Sequence, residues 1–303
     1  MPQLIEIAIC TWNRADLLKG TLESVCATTI PPGCQRRILV VDNRSTDQTP
    51  EMLQEYAANH SDLEVFNETQ QGHSFARNRA IENSKGDLTV WTDDDVIVPT
   101  NWLTNYITAA DSSPSVSFWG SAIKPEFVSG RPTWLAENWA AVSGCFAERD
   151  LGDETIDFTS DRLPYGANFA VRGEVQRQFR FNTSYGRSGK ALMGEDELDL
   201  LRRLLAKGHR GSWIPRNGVQ HIIPADRATT NYVWRYFVGQ GQRLGMNENN
   251  SSWRLHATAH WRALRYRLAR RFGAPSPAWF AHLACWGLAQ GRLDSLQMKK
   301  KND

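Results

Sequence analysis

Several signatures are missing from this chain, and each absence removes a class of protein. No C-x-x-C pair occurs, and the five cysteines are scattered and odd in number (Cys10, Cys26, Cys34, Cys145, Cys285). That pattern argues against a disulfide framework or structural zinc and favours a reducing compartment. The opening MPQLIEIAIC lacks a basic n-region and carries Glu6, so it reads as a first strand rather than a signal peptide. The longest apolar run, Ala278 to Ala289, is too short to span a bilayer and contains His282. The net charge of +2 gives no global argument for nucleic acid as a partner. Internal repeats and low-complexity linkers are absent, and no G-x-G-x-x-G follows an early strand, which disfavours a dinucleotide oxidoreductase.

What remains is an ordinary globular composition, 41% hydrophobic and 22% charged, long enough for one large α/β domain with an appendage. The first ~110 residues alternate strand and helix patterns. Leu4 to Cys10 alternates at period two, Arg37 to Val41 is a second strand ending at Asp42, Leu63 to Phe66 a third, and Leu88 to Trp91 a fourth. Asn13 is a candidate cap for a helix with Leu17, Leu18, Thr21, Leu22 and Val25 on one face. A second helix runs through Tyr56, and a third from Ser74 to about Asn83. This order specifies a mainly parallel sheet with right-handed crossovers, flanked by helices. Ligands bind such sheets outside the carboxyl ends of the strands. There stand Thr11-Trp12-Asn13, Asp42-Asn43 and Asp93-Asp94-Asp95. Residues 1–227 are expected to form one catalytic domain and 228–303 a helical C-terminal region.

Three consecutive acids after an apolar strand repel one another unless a cation holds them, and Mg²⁺ or Mn²⁺ would share carboxylate oxygens with substrate phosphates. A turn capping the next helix near Pro99 is the structural alternative. Asp42 can accept hydrogen bonds from a base or ribose, or simply close an Asx turn. Gly72 permits close backbone approach, Ser74 at a helix start suits an anion, and Arg77 offers a planar fork for phosphate. Gly194-Glu195-Asp196-Glu197 opens a helix through Ala206, where carboxylates are favoured by the helix dipole and Asp196 can serve as a general base. His221 follows a strand as a candidate metal ligand or a satisfied core residue.

Taken in order, IAICTWNRADLLKGTLESV, ILVVDNRSTDQTPEML, GHSFARNRAIENSKGDLTVWTDDDV and GEDELDLLRRLLAKGHR with VQH resemble the inverting, nucleotide-sugar-dependent family 2 glycosyltransferases of GT-A fold. The resemblance spans roughly residues 5 to 225. It implies that Thr11, Asn13 and Asp42 lie at the nucleotide base, and that Arg77 meets donor phosphate or ribose. It also implies that Asp93 and Asp95 form the Asp-x-Asp element beside Asp94, with Asp95 the direct metal ligand. Asp93 is a donor contact as well, and His221 is an added metal contact. Asp196 would be the catalytic base, with Glu195 beside it at the donor, and Gly166-Ala167-Asn168 would line the donor sugar. The expected activity is transfer of a sugar from a nucleotide-diphosphate sugar to an acceptor hydroxyl, with Mn²⁺ or Mg²⁺ as cofactor. UDP is the default donor nucleotide, and dTDP or GDP stay open. The acceptor would be a saccharide or lipid-linked saccharide in polysaccharide or glycolipid assembly. A nucleotidyltransferase, or a non-catalytic sugar-nucleotide-binding protein, is the alternative. The former would carry a Gly-rich basic loop where Thr11-Trp12-Asn13-Arg14 stands.

Late in the chain, Trp253, Ala257, Trp261, Leu264, Leu268 and Phe272 fall on one helical stripe among six arginines, with no acid between Arg254 and Phe272. A basic amphipathic helix over 253–272 reads either as a peripheral contact with the inner face of the cell membrane or as a packed helix with solvated arginines. The expected location is cytoplasmic. Some of the twelve tryptophans could stack on sugars, and most are expected in the core.

Overall fold

A computed structural model describes residues 3–185, 196–246, 252–272 and 276–302. Ten strands run β1 Leu4–Thr11, β2 Gln35–Asp42, β3 Leu63–Asn67, β4 Leu88–Asp93, β5 Val96–Ile97, β6 Val116–Gly120, β7 Ile123–Phe127, β8 Phe169–Arg172, β9 Arg210–Trp213 and β10 Val219–Ile223. The helices are α1 Ala15–Cys26, α2 Thr49–Asn59, α3 His73–Glu82, α4 Trp102–Ser112, α5 Thr133–Glu137, α6 Trp139–Val142, α7 Gly173–Gln176, α8 Asp196–Ala206, α9 Thr230–Met246, α10 Ser252–Phe272 and α11 Pro277–Asn302.

Seven strands form one sheet in the order β3-β2-β1-β4-β8-β6-β9. The first four are parallel, as the alternation of strand and helix requires, whereas β8 runs antiparallel to both β4 and β6. A small sheet of order β5-β10-β7 stands beside it. Period two along β1 does separate two faces, but both are buried. Ile5, Ile7 and Ile9 pack on the side of α1, α2 and α4, while Ala8 and Cys10 pack on the side of α3 and α8. Glu6, on that second face, has no exposure at all. It is held by Arg37 Nη1 at 2.6 Å, by the Lys85 amide at 2.8 Å and by the Ser84 hydroxyl. A buried carboxylate survives only with such partners.

The chain divides into two compact units. One comprises residues 1–126, 147–184 and 195–222, and the other 127–146, 185–194 and 223–303. The units are interleaved in sequence, whereas the expected division drew a single boundary after residue 227. Residues 127–146 join the second unit because Phe127, Leu135, Val142 and Phe146 share an aromatic core with Tyr232, Tyr266, Trp279 and Phe280. Among the described residues no helix is long and apolar enough to cross a membrane. Trp91, Trp102, Trp119 and Trp213 are core residues, as expected of most tryptophans.

Candidate active site

The register of the first unit brings the expected site residues to one sheet edge. Thr11 ends β1 opposite Asp42 at the end of β2, and Cys10 pairs with Asp93 at the end of β4. The loops beyond are tied together. Asn13, with φ of 53°, accepts the Thr46 amide at 2.7 Å on its side-chain oxygen, and its own amide donates to Ser45 Oγ at 2.9 Å. It does not cap α1, whose N-cap position is Arg14 and carries no side-chain cap bond. Asn tolerates the left-handed backbone that this bridging turn needs. Asp42 is buried and accepts the Ser45 amide at 3.1 Å. Asn43 donates to the Glu68 and Gln70 carbonyls and accepts the Gly72 amide at 2.7 Å, which sets the start of α3.

The acidic triplet divides between two arginines. Asp94 accepts the Thr11 hydroxyl at 2.8 Å. One guanidinium nitrogen of Arg14 bridges Asp94 at 2.8 Å and Asp95 at 2.6 Å, and His221 Nε2 lies 3.3 Å from Asp95. Asp93, by contrast, faces Arg77 at 3.7 Å. Burial pushes the Asp94 carboxyl above its ordinary range against the pull of Arg14, and the neighbouring Asp95 adds to the rise. Arg14 is the functional residue that the sequence reading missed. In sequence it is an arginine in a polar turn, and its acids lie eighty residues away.

Arg77 is the second centre. It is 2% exposed, with its guanidinium against the rings of Phe181 (5.0 Å) and Trp91 (5.9 Å). It pairs with Asp196 at 3.0 Å and Glu197 at 3.4 Å, both in the first turn of α8. A Cβ at residue 166 would clash with Arg77 Nη2, so any larger residue there has to displace this guanidinium. Asp196 also accepts Ser74 Oγ at 3.3 Å and lies 3.6 Å from His73 Nδ1. Burial opposes ionisation of Asp196, but Arg77 and then His73 outweigh it and hold the carboxyl well below the usual range. Glu197 shifts the other way, because burial and the charge on Asp196 both favour its protonated form. Glu197 Oε1 accepts the Gly166 amide at 3.2 Å.

Two further donor contacts were expected. Glu195 lies outside the described residues. Asn168 is fully buried, and its side chain is saturated from within the protein. Its oxygen accepts Trp102 Nε1–H at 2.9 Å and the Tyr106 hydroxyl at 2.8 Å, and its amide donates to the Ala122 and Asn217 carbonyls at 2.9 and 3.0 Å. No capacity is left for a sugar; the side chain ties α4 to the segments after β6 and before β10.

The donor chemistry of the acidic turn was weighed against a divalent ion. Among the described residues no three acidic, histidine or cysteine groups converge as an all-protein cage. Mg²⁺-type sites rarely use one, being held by one or two carboxylates together with substrate phosphates. Hard oxygens on Asp95 and Asp93, with the imidazole of His221, fit that mode.

An α/β sheet whose carboxyl edge gathers acids, a buried arginine and an acidic helix start defines a GT-A nucleotide-diphospho-sugar transferase fold. The chain belongs to glycosyl transferase family 2, whose family description matches residues 6–167, and it is a glycosyltransferase of glycan assembly. It is 24% identical to the glucosyl-dolichyl phosphate glucuronosyltransferase of Haloferax volcanii over 77% of this chain and 73% of that protein. It is likewise 24% identical to the succinoglycan biosynthesis protein ExoM of Rhizobium meliloti, over 80% of this chain and 74% of that one. Among solved structures it resembles the mannosyltransferase PcManGT of Pyrobaculum calidifontis, in complex with GDP-Man and Mn²⁺. The TM-score is 0.56 at 20% identity, covering all (100%) of this chain and 76% of that one. Residues 1–349 of S. aureus TarS in complex with UDP-GlcNAc give a TM-score of 0.54 at 14% identity over 98% of this chain and 92% of that piece.

Proposed function

We propose that this enzyme moves a sugar from a nucleotide-diphosphate sugar to an acceptor hydroxyl with inversion at the anomeric carbon, in polysaccharide or glycolipid assembly. The observation that carries this reading is the convergence of Thr11, Asp42, the acidic turn, Arg77 and Asp196 at one sheet edge. Thr11 and Asp42 bound the base pocket, and Trp12, 37% exposed at the end of β1, offers it a ring face. UDP is the default donor; the solved relatives carry UDP-GlcNAc and GDP-Man, so both bases belong in the test. Asp95 and Asp93, with His221, would hold Mn²⁺ or Mg²⁺, which when bound supplies Lewis-acid neutralisation of the leaving diphosphate.

Asp196 takes the proton of the acceptor hydroxyl as that oxygen bonds to the anomeric carbon and the bond to the diphosphate oxygen breaks. While Arg77 is paired with it, Asp196 is a poor base. A donor phosphate that draws Arg77 away removes the cation holding its proton affinity down, so donor binding itself arms the base. The acceptor is a saccharide or a lipid-linked saccharide. A location in the cytoplasm, with peripheral contact at the inner membrane face through the basic helix 253–272, suits the second.

A thermal-shift screen of UDP-, dTDP- and GDP-sugars with and without Mn²⁺ tests the reading. Stabilisation by one nucleotide class, enhanced by the metal, is expected; no stabilisation by any of them overturns it. Asp196→Asn should keep donor binding and lose turnover, whereas Glu197→Gln should keep a substantial rate.

A further inference from the structure

The second unit contains a cavity of about 620 Å³ that the transferase reading does not use. Its wall includes Trp234 from α9, Trp286 from α11 and Tyr266 from α10, and Arg267, Arg270 and Arg271 of α10 also line it. The rings form a continuous surface: Trp286 lies 4.9 Å from Trp234 and 5.2 Å from Tyr266 between centroids. The three arginines are exposed, and among the described residues no acid lines the cavity. An aromatic wall beside guanidinium groups matches a ligand with an anionic head and an apolar body.

The outer face of α10 says where such a ligand would reside. The helix buries Ala259 and Tyr266. Three residues of the expected stripe, Trp261, Leu264 and Leu268, are turned outward at 51%, 53% and 49% exposure. At 3.6 residues per turn, Arg267 and Arg271 flank this stripe on one side and Arg262 and Arg265 on the other. The latter two stack on the Trp261 ring at 5.0 and 4.8 Å. Neither α9 nor α10 contains an acid. Half-exposed apolar residues bracketed by arginines and an aromatic ring are the composition of a helix lying in the headgroup region of a bilayer. Charge complementarity selects an anionic surface.

We propose that α10 docks on an anionic lipid surface and that the cavity formed by α9, α10 and α11 receives a lipid phosphate headgroup. Arg267, Arg270 and Arg271 contact its oxygens, and Trp234, Tyr266 and Trp286 contact its apolar part. The cavity site goes beyond the transferase reading, and the docking of α10 deepens the peripheral membrane contact proposed with it.

Co-sedimentation of the full chain with vesicles tests this. One set contains phosphatidylcholine alone and the other an equal mixture with phosphatidylglycerol. Binding to the mixed vesicles, little to the neutral ones, and weakening with added salt are expected. Each basic side chain near an anionic surface contributes about a five-fold factor. The triple variant Arg267→Gln, Arg270→Gln, Arg271→Gln should therefore bind on the order of a hundredfold more weakly. A charge-matched control, Lys19→Gln, Lys85→Gln, Lys207→Gln, removes exposed lysines of the first unit and should bind like the wild type. Leu264→Gln with Leu268→Gln should also lose binding, which bulk charge alone does not predict. Circular dichroism and nucleotide-induced stabilisation, followed in parallel, show that each variant folds and keep this proposal separate from the transferase reading. Equal binding to both vesicle types, or equal losses in the triple variant and its control, overturns it. So does stabilisation by inorganic phosphate that the triple variant loses while no vesicle binds, which would put a soluble phosphate in the cavity.

Discussion

Asn168 offers the sharpest separation between a supporting role and a donor-binding role. Asn168→Leu keeps much of the side-chain volume but removes all four of its hydrogen bonds. Each such bond contributes about 1 kcal/mol net, and a buried group left without a partner costs about 1–3 kcal/mol. The Trp102 N–H, the Tyr106 hydroxyl and the Asn217 carbonyl lose this partner together, while the Ala122 carbonyl keeps the Val219 amide at 3.0 Å, so the loss should be about 3–9 kcal/mol. For a unit of this size about 2–4 °C is lost per kcal/mol, which places the midpoint at least about 6 °C below wild type. Asn168→Asp keeps both accepted bonds but turns a charge toward the Ala122 and Asn217 carbonyls, and should be destabilised comparably. Thermal and urea unfolding, with donor affinity followed by tryptophan fluorescence, gives both readouts. If Asn168→Leu unfolds within about 1 kcal/mol of wild type yet binds the nucleotide sugar tenfold more weakly, the supporting role is wrong and Asn168 touches the donor.

Arg77→Met strands Asp196 and Glu197 without their buried counter-charge and should cost about 3–5 kcal/mol, read by urea unfolding, with loss of donor binding by calorimetry. Gly166→Ala, which pushes on the same guanidinium, should weaken donor binding in the same direction by a smaller factor. Arg14→Met removes the cation between Asp94 and Asp95, so Mn²⁺ alone should stabilise this variant more than the wild type in a thermal shift; an unchanged metal response refutes the role given to Arg14. Asp196 titrates below its unfolded value, so its contribution to stability is present above about pH 3.9 and lost as pH falls. The difference between wild type and Asp196→Asn should accordingly grow as pH rises toward about 4 and level off above it in a denaturation series. Glu6→Ala, at the opposite end of β1, leaves Arg37 paired with Glu64 at 2.6 and 2.7 Å but strips the Lys85 amide and the Ser84 hydroxyl of their acceptor; it should cost about 1–3 kcal/mol in urea unfolding, without affecting donor affinity.

The order of strands and helices was legible because local periodicity and strand-end polarity survive in any single window of sequence. Thr11, Asp42, Asp93 and Arg77 were therefore found where the parallel sheet puts them. What escaped were pairings set by distance in space. Arg14 meets Asp94 and Asp95 only because β1 and β4 are neighbours in the sheet. Asn168 entered as a donor contact only through the family resemblance of Gly166-Ala167-Asn168, and its four partners on distant segments show that it faces inward. Asn13 has the chemistry of a helix cap, but the loop after β2 competed for its side chain and won. The antiparallel entry of β8, and the joining of 127–146 with the C-terminal helices, depend on long-range packing that no local pattern encodes. On α10 the arginine-flanked stripe was visible as a period, while its direction was not, since exposed and buried stripes share one spacing.

Arg14 has a consequence for the order of events in the life of the protein. Because the chain carries its own counter-ion for the acidic turn, the sheet edge can fold, and the finished protein can wait, without any divalent ion in the surroundings. Chelation should leave the resting fold intact. On the proposed reading, ion and nucleotide would arrive by exchange with a guanidinium already in place, and the turn would never pass through a state of bare, mutually repelling carboxylates.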